Sequence, residues 1–413
     1  MKLMRKTTAF ATMVLWLIAT GLASAQTTDD NLKRCKALEG DLSIAACTAL
    51  IESGNLTPAN RADALLYRGV AYARKALYDR AIQDIDRAIE LKPQDAVILN
   101  ERGVVYALQG LYDRALENFK RATAIDPTYA DSIVNAGLAY ARQKLYDRAI
   151  TEYDRAIALR PNHAASFLNR GVAYSSLGDV DRAIDDYDRA IALKPDYASA
   201  FFDRGNAYLK KGSFDRAISD LDRAIALNPN KSAYIGVRGS AYSSKGMDDR
   251  ALEDYARALA LDPRNAPTLA NRGLTYLTMG KKKEALEELN RAATVDPSDP
   301  DVLNNRCWTL MILNRSSEAL ADCNRSLEIR PNDDGTLDSR GFTYLGAHQL
   351  SAAIRDFNAA LAINPKRASS LYGRGLAKRL NGDTAAGDDD ITRAVDLKPG
   401  IAAELARLGF TLR

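Results

Sequence analysis

Histidine is nearly missing from this chain: only His163 and His348 occur in 413 residues. Neither belongs to an H-x-x-x-H pair or a Cys/His cluster, so the sequence offers no metal site. It also lacks a glycine-rich phosphate loop ending in Lys-Ser/Thr, a G-x-S-x-G elbow and a dinucleotide fingerprint. With these go the usual marks of nucleotide-dependent enzymes and serine hydrolases, and no cofactor is implied. Net charge is small, with 57 Lys plus Arg against 53 Asp plus Glu. Such a chain has no general pull toward nucleic acid or anionic lipid. The four cysteines include no C-x-x-C pair, the spacing that thiol-exchange catalysts use. Asp and Glu are plentiful but recur periodically on helix faces, so no catalytic residue is assigned and the chain reads as a non-enzyme.

The N-terminus carries a leader. Lys2, Arg5 and Lys6 precede an apolar run from Ala9 to Leu22, followed by Ala23-Ser24-Ala25. This predicts a secretory signal peptide over residues 1–25, cut after Ala25. No Cys follows the cut, and no later apolar run approaches the roughly 20 residues of a membrane span. The expected mature chain is periplasmic or secreted, without stable membrane insertion, and its formal charge falls from +4 to +1 as those three cations leave.

Proline sets the architecture. Ten of 13 prolines, from Pro93 to Pro399, follow one another at intervals of 34 residues. Placing each at position 32 defines ten uninterrupted repeats over residues 62–401. Position 8 is Gly in nine repeats and Cys307 in the other; position 20 is Ala or Gly387; position 27 is Ala or Ser326. Small residues at these places let two antiparallel helices approach closely. Tyr stands at position 11 in eight repeats, from Tyr72 to Tyr344, and is expected to fill the space they leave. Gly110, Gly178 and Gly212 are among six glycines closing the first helix, and the proline stops the second.

The runs Leu66-Tyr67-Arg68-Gly69-Val70-Ala71-Tyr72 and Asp79-Arg80-Ala81-Ile82, repeated in register, closely resemble the tetratricopeptide-repeat family. The resemblance covers nearly all of the chain beyond residue 61. It implies an all-α, right-handed superhelical solenoid of antiparallel helix pairs, with a concave face built mainly by the first helices. Residues 26–61 then form an N-terminal hairpin cap, and residues 402–413 a closing helix that covers the last apolar face.

One departure is systematic. Position 7 is Arg in nine repeats, among them Arg68, Arg102, Arg170 and Arg238. Counting residues across a hairpin that turns near position 16 sets position 25 opposite it, where Asp86, Asp154, Asp188, Asp222, Asn290, Asn324 and Asn358 occur. This predicts a structural ladder of Arg–acceptor contacts in preference to a basic stripe for an anionic ligand. The same count sets Cys307 opposite Cys323, and symmetry about residue 41 sets Cys35 opposite Cys47. Two disulfides are therefore expected, as suits an exported chain.

Family resemblance directs positions 2, 5, 6, 9, 12 and 13 of the first helix toward the concave face. Asn135, Asn169, Asn271 and Asn305 at position 6 resemble the Asn ladders that hold extended peptides, although Asp203, Val237 and Gly373 interrupt the series. Trp308 and Phe342, at position 9 of adjacent repeats, form an aromatic pair that either anchors a partner or packs. Arg74, Arg142, Lys210 and Arg379 are potential anion contacts. Positions 5 and 9 hold no Lys or Arg, which argues against the two-carboxylate clamp of chaperone-binding members. The reading is a non-catalytic scaffold of the bacterial envelope that holds peptides or protein segments. A redox factor using the cysteine pairs and a structural spacer are the alternatives.

Overall fold

The computed structural model describes residues 32–37 and 40–407; the expected signal peptide and the last six residues of the closing helix lie outside them. The described residues form α-helices and turns, with no strand. From repeat 2 onward each repeat has one helix over positions 1–13 and a second over positions 17–30, as in Ala96–Leu108 and Tyr112–Ile125. The first helix of repeat 1 starts early, at Pro58 instead of Ala62. Thr57 explains this: its hydroxyl accepts from Asn60 N at 3.2 Å, and Pro58 follows as the first helical residue.

Two compact units divide the chain, Met1–Pro195 and Asp196–Arg413. The first holds the N-terminal hairpin and the helices of repeats 1–4. Residues 32–37 are helical and Gly40–Glu52 forms the second arm. Cys35 and Cys47 join the arms, with Cα atoms 4.9 Å apart. The second unit holds repeats 5–10 and the closing helix Ile401–Arg407.

Within each repeat the two helices meet through the small positions. A Cβ placed on Gly137 would come within 2.5 Å of the Tyr153 ring, and one on Gly103 equally close to Phe119. The residue that fills the space above the position-8 glycine is thus at position 24, where Phe119, Tyr153, Tyr187, Tyr255 and Phe357 are fully buried. The position-11 tyrosines do not fill it. They remain half-buried, and Tyr72, Tyr106, Tyr140 and Tyr174 lie under the Arg at position 19 of their own repeat. Tyr174 is the tightest, with the Arg182 guanidinium 4.5 Å from its ring centre. In repeat 8 the Gly-plus-ring contact is replaced by the Cys307–Cys323 disulfide, with Cα atoms 5.5 Å apart and both residues fully buried.

The arginine ladder is structural, but its partners differ from the count. Arg170 takes Asp186, at position 23 of its own repeat, through Nε at 2.8 Å and Nη2 at 2.6 Å. Its Nη1 reaches Asp154, at position 25 of the preceding repeat, at 2.5 Å. Arg238 does the same with Asp254 and Asp222, and Arg340 with Asp356 and Asn324. Counting gives height along a hairpin, not side. When positions 8 and 24 face each other on antiparallel helices, a turn of about 100° per residue sends 7 and 23 to one side and 25 to the other. Each of these three guanidinium groups therefore joins two repeats of one unit. On the first rung Thr48 of the N-terminal hairpin stands in for the missing repeat, 3.0 Å from Arg68.

Two breaks follow the same logic. Repeat 3 has Ala136 in place of Arg, and the preceding position 25 is Lys120, so no acid there lacks its partner; Glu152 pairs with Arg155 at 2.6 Å. Ala256 offers Arg272 no acceptor, and its Nε stays buried without a partner while Nη2 holds Glu288 at 2.8 Å.

The turn between the helices puts position 15 in the left-handed region in all ten repeats. Six are glycines such as Gly110 (φ 78°); the others are Ala76, Lys144, Asn314 and His348, with φ of 57–62°. Glycine accepts this conformation without strain and Asn nearly so, whereas Ala and Lys pay for it.

Candidate functional site

The first-helix faces of the two units differ in what they leave open. In unit 1, position 9 is aliphatic throughout: Val70, Val104, Leu138 and Val172. Leu138 and Val172 are exposed at 39% and 42%, and Val97 and Leu108, at positions 2 and 13 of the first helix of repeat 2, at 45% and 55%. Nearly all other apolar side chains exposed in this unit lie in turns or at the ends of the second helices. An aliphatic row kept in register on one face is not explained by folding.

At the start of this row lies a cleft of about 510 Å³ between the N-terminal hairpin and the first helices of repeats 1 and 2. Leu66, Val70 and Val97 provide apolar walls, and Lys36 lies 5.6 Å from the centre of the Tyr67 ring. Arg74 is exposed at its edge. Its acids are already engaged. Asp63 accepts from Lys92 Nζ at 2.5 Å. Asp95 caps the helix of repeat 2 through Val97 N at 2.9 Å. Glu101 accepts from Asn100 Nδ2 at 3.2 Å, and burial raises its carboxyl above the usual range, with Asn100 and the nearby Arg74 opposing.

Two of the four predicted asparagines bind their neighbours. Asn135 Nδ2 donates to Asn100 Oδ1 at 3.0 Å, extending the chain that ends on Glu101. Asn271 Nδ2 donates to Ser240 Oγ at 2.9 Å. Asn169 and Asn305 are half-buried at the same repeat position. Asn100 and Glu101 themselves escaped sequence reading because the Asn of repeat 2 stands at position 5, a step before the position-6 series, and Glu101 takes position 6.

In unit 2 Leu380, at position 13, is exposed at 50%, but no apolar side chain at position 9 is. Phe342 has no exposed surface, and its ring meets Trp308 edge-on at 5.5 Å and Phe357 at 5.1 Å. Phe342 is therefore a packing residue, not a ligand contact, while Trp308 is half-buried beside it. Gly373 makes the room: a Cβ there would lie 3.0 Å from Phe342 Cζ and closer still to Phe357. That glycine, an interruption in the Asn series, is part of the aromatic core. Cys307, Cys323, Leu310, Met311 and Leu345 complete one buried cluster with these rings.

Two carboxylates on this face are unusual. Burial pushes Asp338 up to about 6, although Ser370 and Ser369 donate to it at 2.5 and 2.9 Å. Burial alone pushes Asp203 up to about 6. Among the cations, Arg142 and Lys210 are exposed on their helices, and Arg379 lies 3.4 Å from Asp388.

Among the described residues no group of His, Cys, Asp and Glu could hold a metal ion, no cysteine is free, and no helix is long and apolar enough to cross a membrane. His163 Nδ1 is occupied with Ser166 Oγ at 2.8 Å.

Models of the tetratricopeptide repeat match residues 39–96, 105–144, 145–178, 173–212, 198–231, 239–280 and 266–299. No curated protein matches the chain. Among solved structures, a chain of the APC/C hetero-tetramer Cut9-Hcn1 aligns with a TM-score of 0.55 at 13% identity, over 90% of this chain and 93% of that one. A tetratricopeptide repeat protein from Parabacteroides merdae aligns with a TM-score of 0.53 at 20% identity, over 60% and 98%. YrrB, described as having an unusual peptide-binding site, is 26% identical over 46% and 97%, with a TM-score of 0.38. Repeat matches spread along the chain, together with the paired helices, establish that it belongs to the tetratricopeptide-repeat family.

Proposed function

We propose that the protein is a non-catalytic interaction scaffold that works outside the cytoplasm, in the periplasm or after secretion, and holds an extended protein segment along the first-helix face of unit 1. The observation that carries this reading is the exposed aliphatic row of Val97, Leu108, Leu138 and Val172. Within unit 1 these are the first-helix apolar side chains of the repeats left exposed, and a partner with apolar side chains gives them a use. The export reading rests on the basic-apolar-small leader and on two buried disulfides, which persist in oxidising compartments. The redox alternative is disfavoured because exchange needs an accessible sulfur, and all four cysteines are fully buried.

The test is a paired capture from envelope extract. One bait carries Leu138→Asp with Val172→Asp; the other carries Thr151→Lys with Asp185→Lys, at exposed positions on the second helices of the same repeats. Retention of the partner by the second bait and loss by the first is the expected result. Loss with the second bait alone places the interface on the outer helices and favours a spacer.

A further inference from the structure

Resting on that reading, we propose that the cleft between the N-terminal hairpin and repeats 1 and 2 is a carboxylate pocket. It takes an acidic residue, or a chain terminus, flanked by apolar side chains of the bound segment. Three features carry the proposal. The cleft is concave and apolar-walled, through Leu66, Val70 and Val97, so it suits a side chain with a hydrocarbon body. It lies at the end of the exposed aliphatic row, so one extended segment reaches both.

The third feature is which charges are already used. Asp63 is paired with Lys92, Asp95 caps a helix, and Glu101 is bonded by Asn100. Among the described residues Lys36 meets the Tyr67 ring and no acid, and Arg74 donates no hydrogen bond to Glu101 although it stands near enough to act on it electrostatically. Among the described residues the charges of the cleft left over are these two cations, and Arg74 presents the planar fork that matches a carboxylate. Three acids in the same walls disfavour a dianionic phosphate, so one negative charge is the fitting complement. The second bonded arm of the hairpin fixes this wall: the Cys35–Cys47 disulfide and the Ser43 hydroxyl, which donates to Cys35 O at 2.8 Å, hold the helix that carries Lys36.

The test uses a random-peptide display selection on residues 26–413. The selected sequences are then made as free acids and as C-terminal amides, and titrated by fluorescence anisotropy. Peptides sharing a carboxylate beside Leu, Ile, Val or Phe are expected. Arg74→Gln should weaken them about tenfold, as for loss of one charged hydrogen bond; Lys36→Gln should weaken them less. Arg87→Gln, on an exposed second-helix position, should leave them unchanged, and added salt should weaken binding to the unaltered chain. Binding kept by the acid and lost by the amide assigns a chain terminus; binding kept by both assigns an internal Asp or Glu. Peptides without a shared acid, or full affinity in Arg74→Gln, overturn the pocket while leaving the scaffold reading, provided Leu138→Asp with Val172→Asp abolishes their binding. Failure to select any peptide overturns both.

Discussion

The two units are built from the same repeat yet spend their first-helix residues differently. Unit 1 keeps small aliphatic side chains at position 9 and leaves Leu138 and Val172 in water. Unit 2 places Trp308 and Phe342 at the same position, clears space with Gly373, and buries the result against a disulfide. Its charges are also consumed: Arg367 holds Asp334 at 2.6 Å, and Lys378 holds Asp390 at 2.8 Å. The difference teaches that a repeat position has no fixed role. The same register stays exposed where neighbours are small and becomes core where a facing residue gives way.

The largest effect should come from the ladder both units share. Arg170→Ala in unit 1 and Arg238→Ala in unit 2 each strand a buried aspartate, Asp186 or Asp254. Each should cost about 3–5 kcal/mol, read from urea unfolding. Arg272→Ala should cost less, because Arg291 also reaches Glu288 at 3.0 Å. Equal losses for all three would show that the second cation shields nothing.

Loss of the unit 2 disulfide should come next. Removing Cys307–Cys323, which closes a loop of 16 residues, as a Cys307→Ala, Cys323→Ala variant should cost about 3 kcal/mol. With Cys35–Cys47 still closed, hydrogen exchange should then rise first in Pro300–Ile329. A uniform rise along the chain would break the comparison.

Asp203 gives a smaller effect with a pH signature. Burial lifts its folded pKa to about 6, above the unfolded value of about 4, so the folded chain binds that proton more tightly. This contribution is fully present below about pH 4 and is lost as pH rises through about 6. Asp203→Asn should therefore raise stability at pH 7 by about 2 kcal/mol and flatten the profile between those values. An unchanged slope would mean that water or a neighbour satisfies the carboxylate. The smallest effect is local: Lys144→Gly relieves a left-handed residue (φ 62°) in unit 1 and should stabilise by about 0.5–1 kcal/mol in thermal unfolding. Asn314→Gly in unit 2 should gain less, since Asn tolerates that region.

Much of this was legible in sequence because the period is strict. The prolines set the helix pairs, and the Cys307 and Cys323 positions set a disulfide. The structural reading of Arg170 and its kin followed from acids nearby. What failed was anything that depends on direction around a helix. The count sets Asp222 opposite Arg204 of its own repeat, whereas Asp222 accepts from Arg238 of the next, because counting carries no angle. Tyr72 was assigned the gap over Gly69 that Ile85 fills. The burial of Phe342 was hidden because it is decided by Gly373 and Phe357, 31 and 15 residues further on. The cleft was equally hidden: it joins Lys36 of the hairpin to Arg74 and Glu101 of two different repeats.

Photo-crosslinking tests the central claim most directly. A benzophenone side chain would be placed singly at Leu138, at Trp308 and at Thr151, and the protein irradiated in intact cells. The account predicts a discrete adduct from Leu138 and none from Thr151, with Trp308 weak or silent because its face is filled from within. An adduct from Thr151 with none from Leu138 would contradict it, moving the working surface to the second helices.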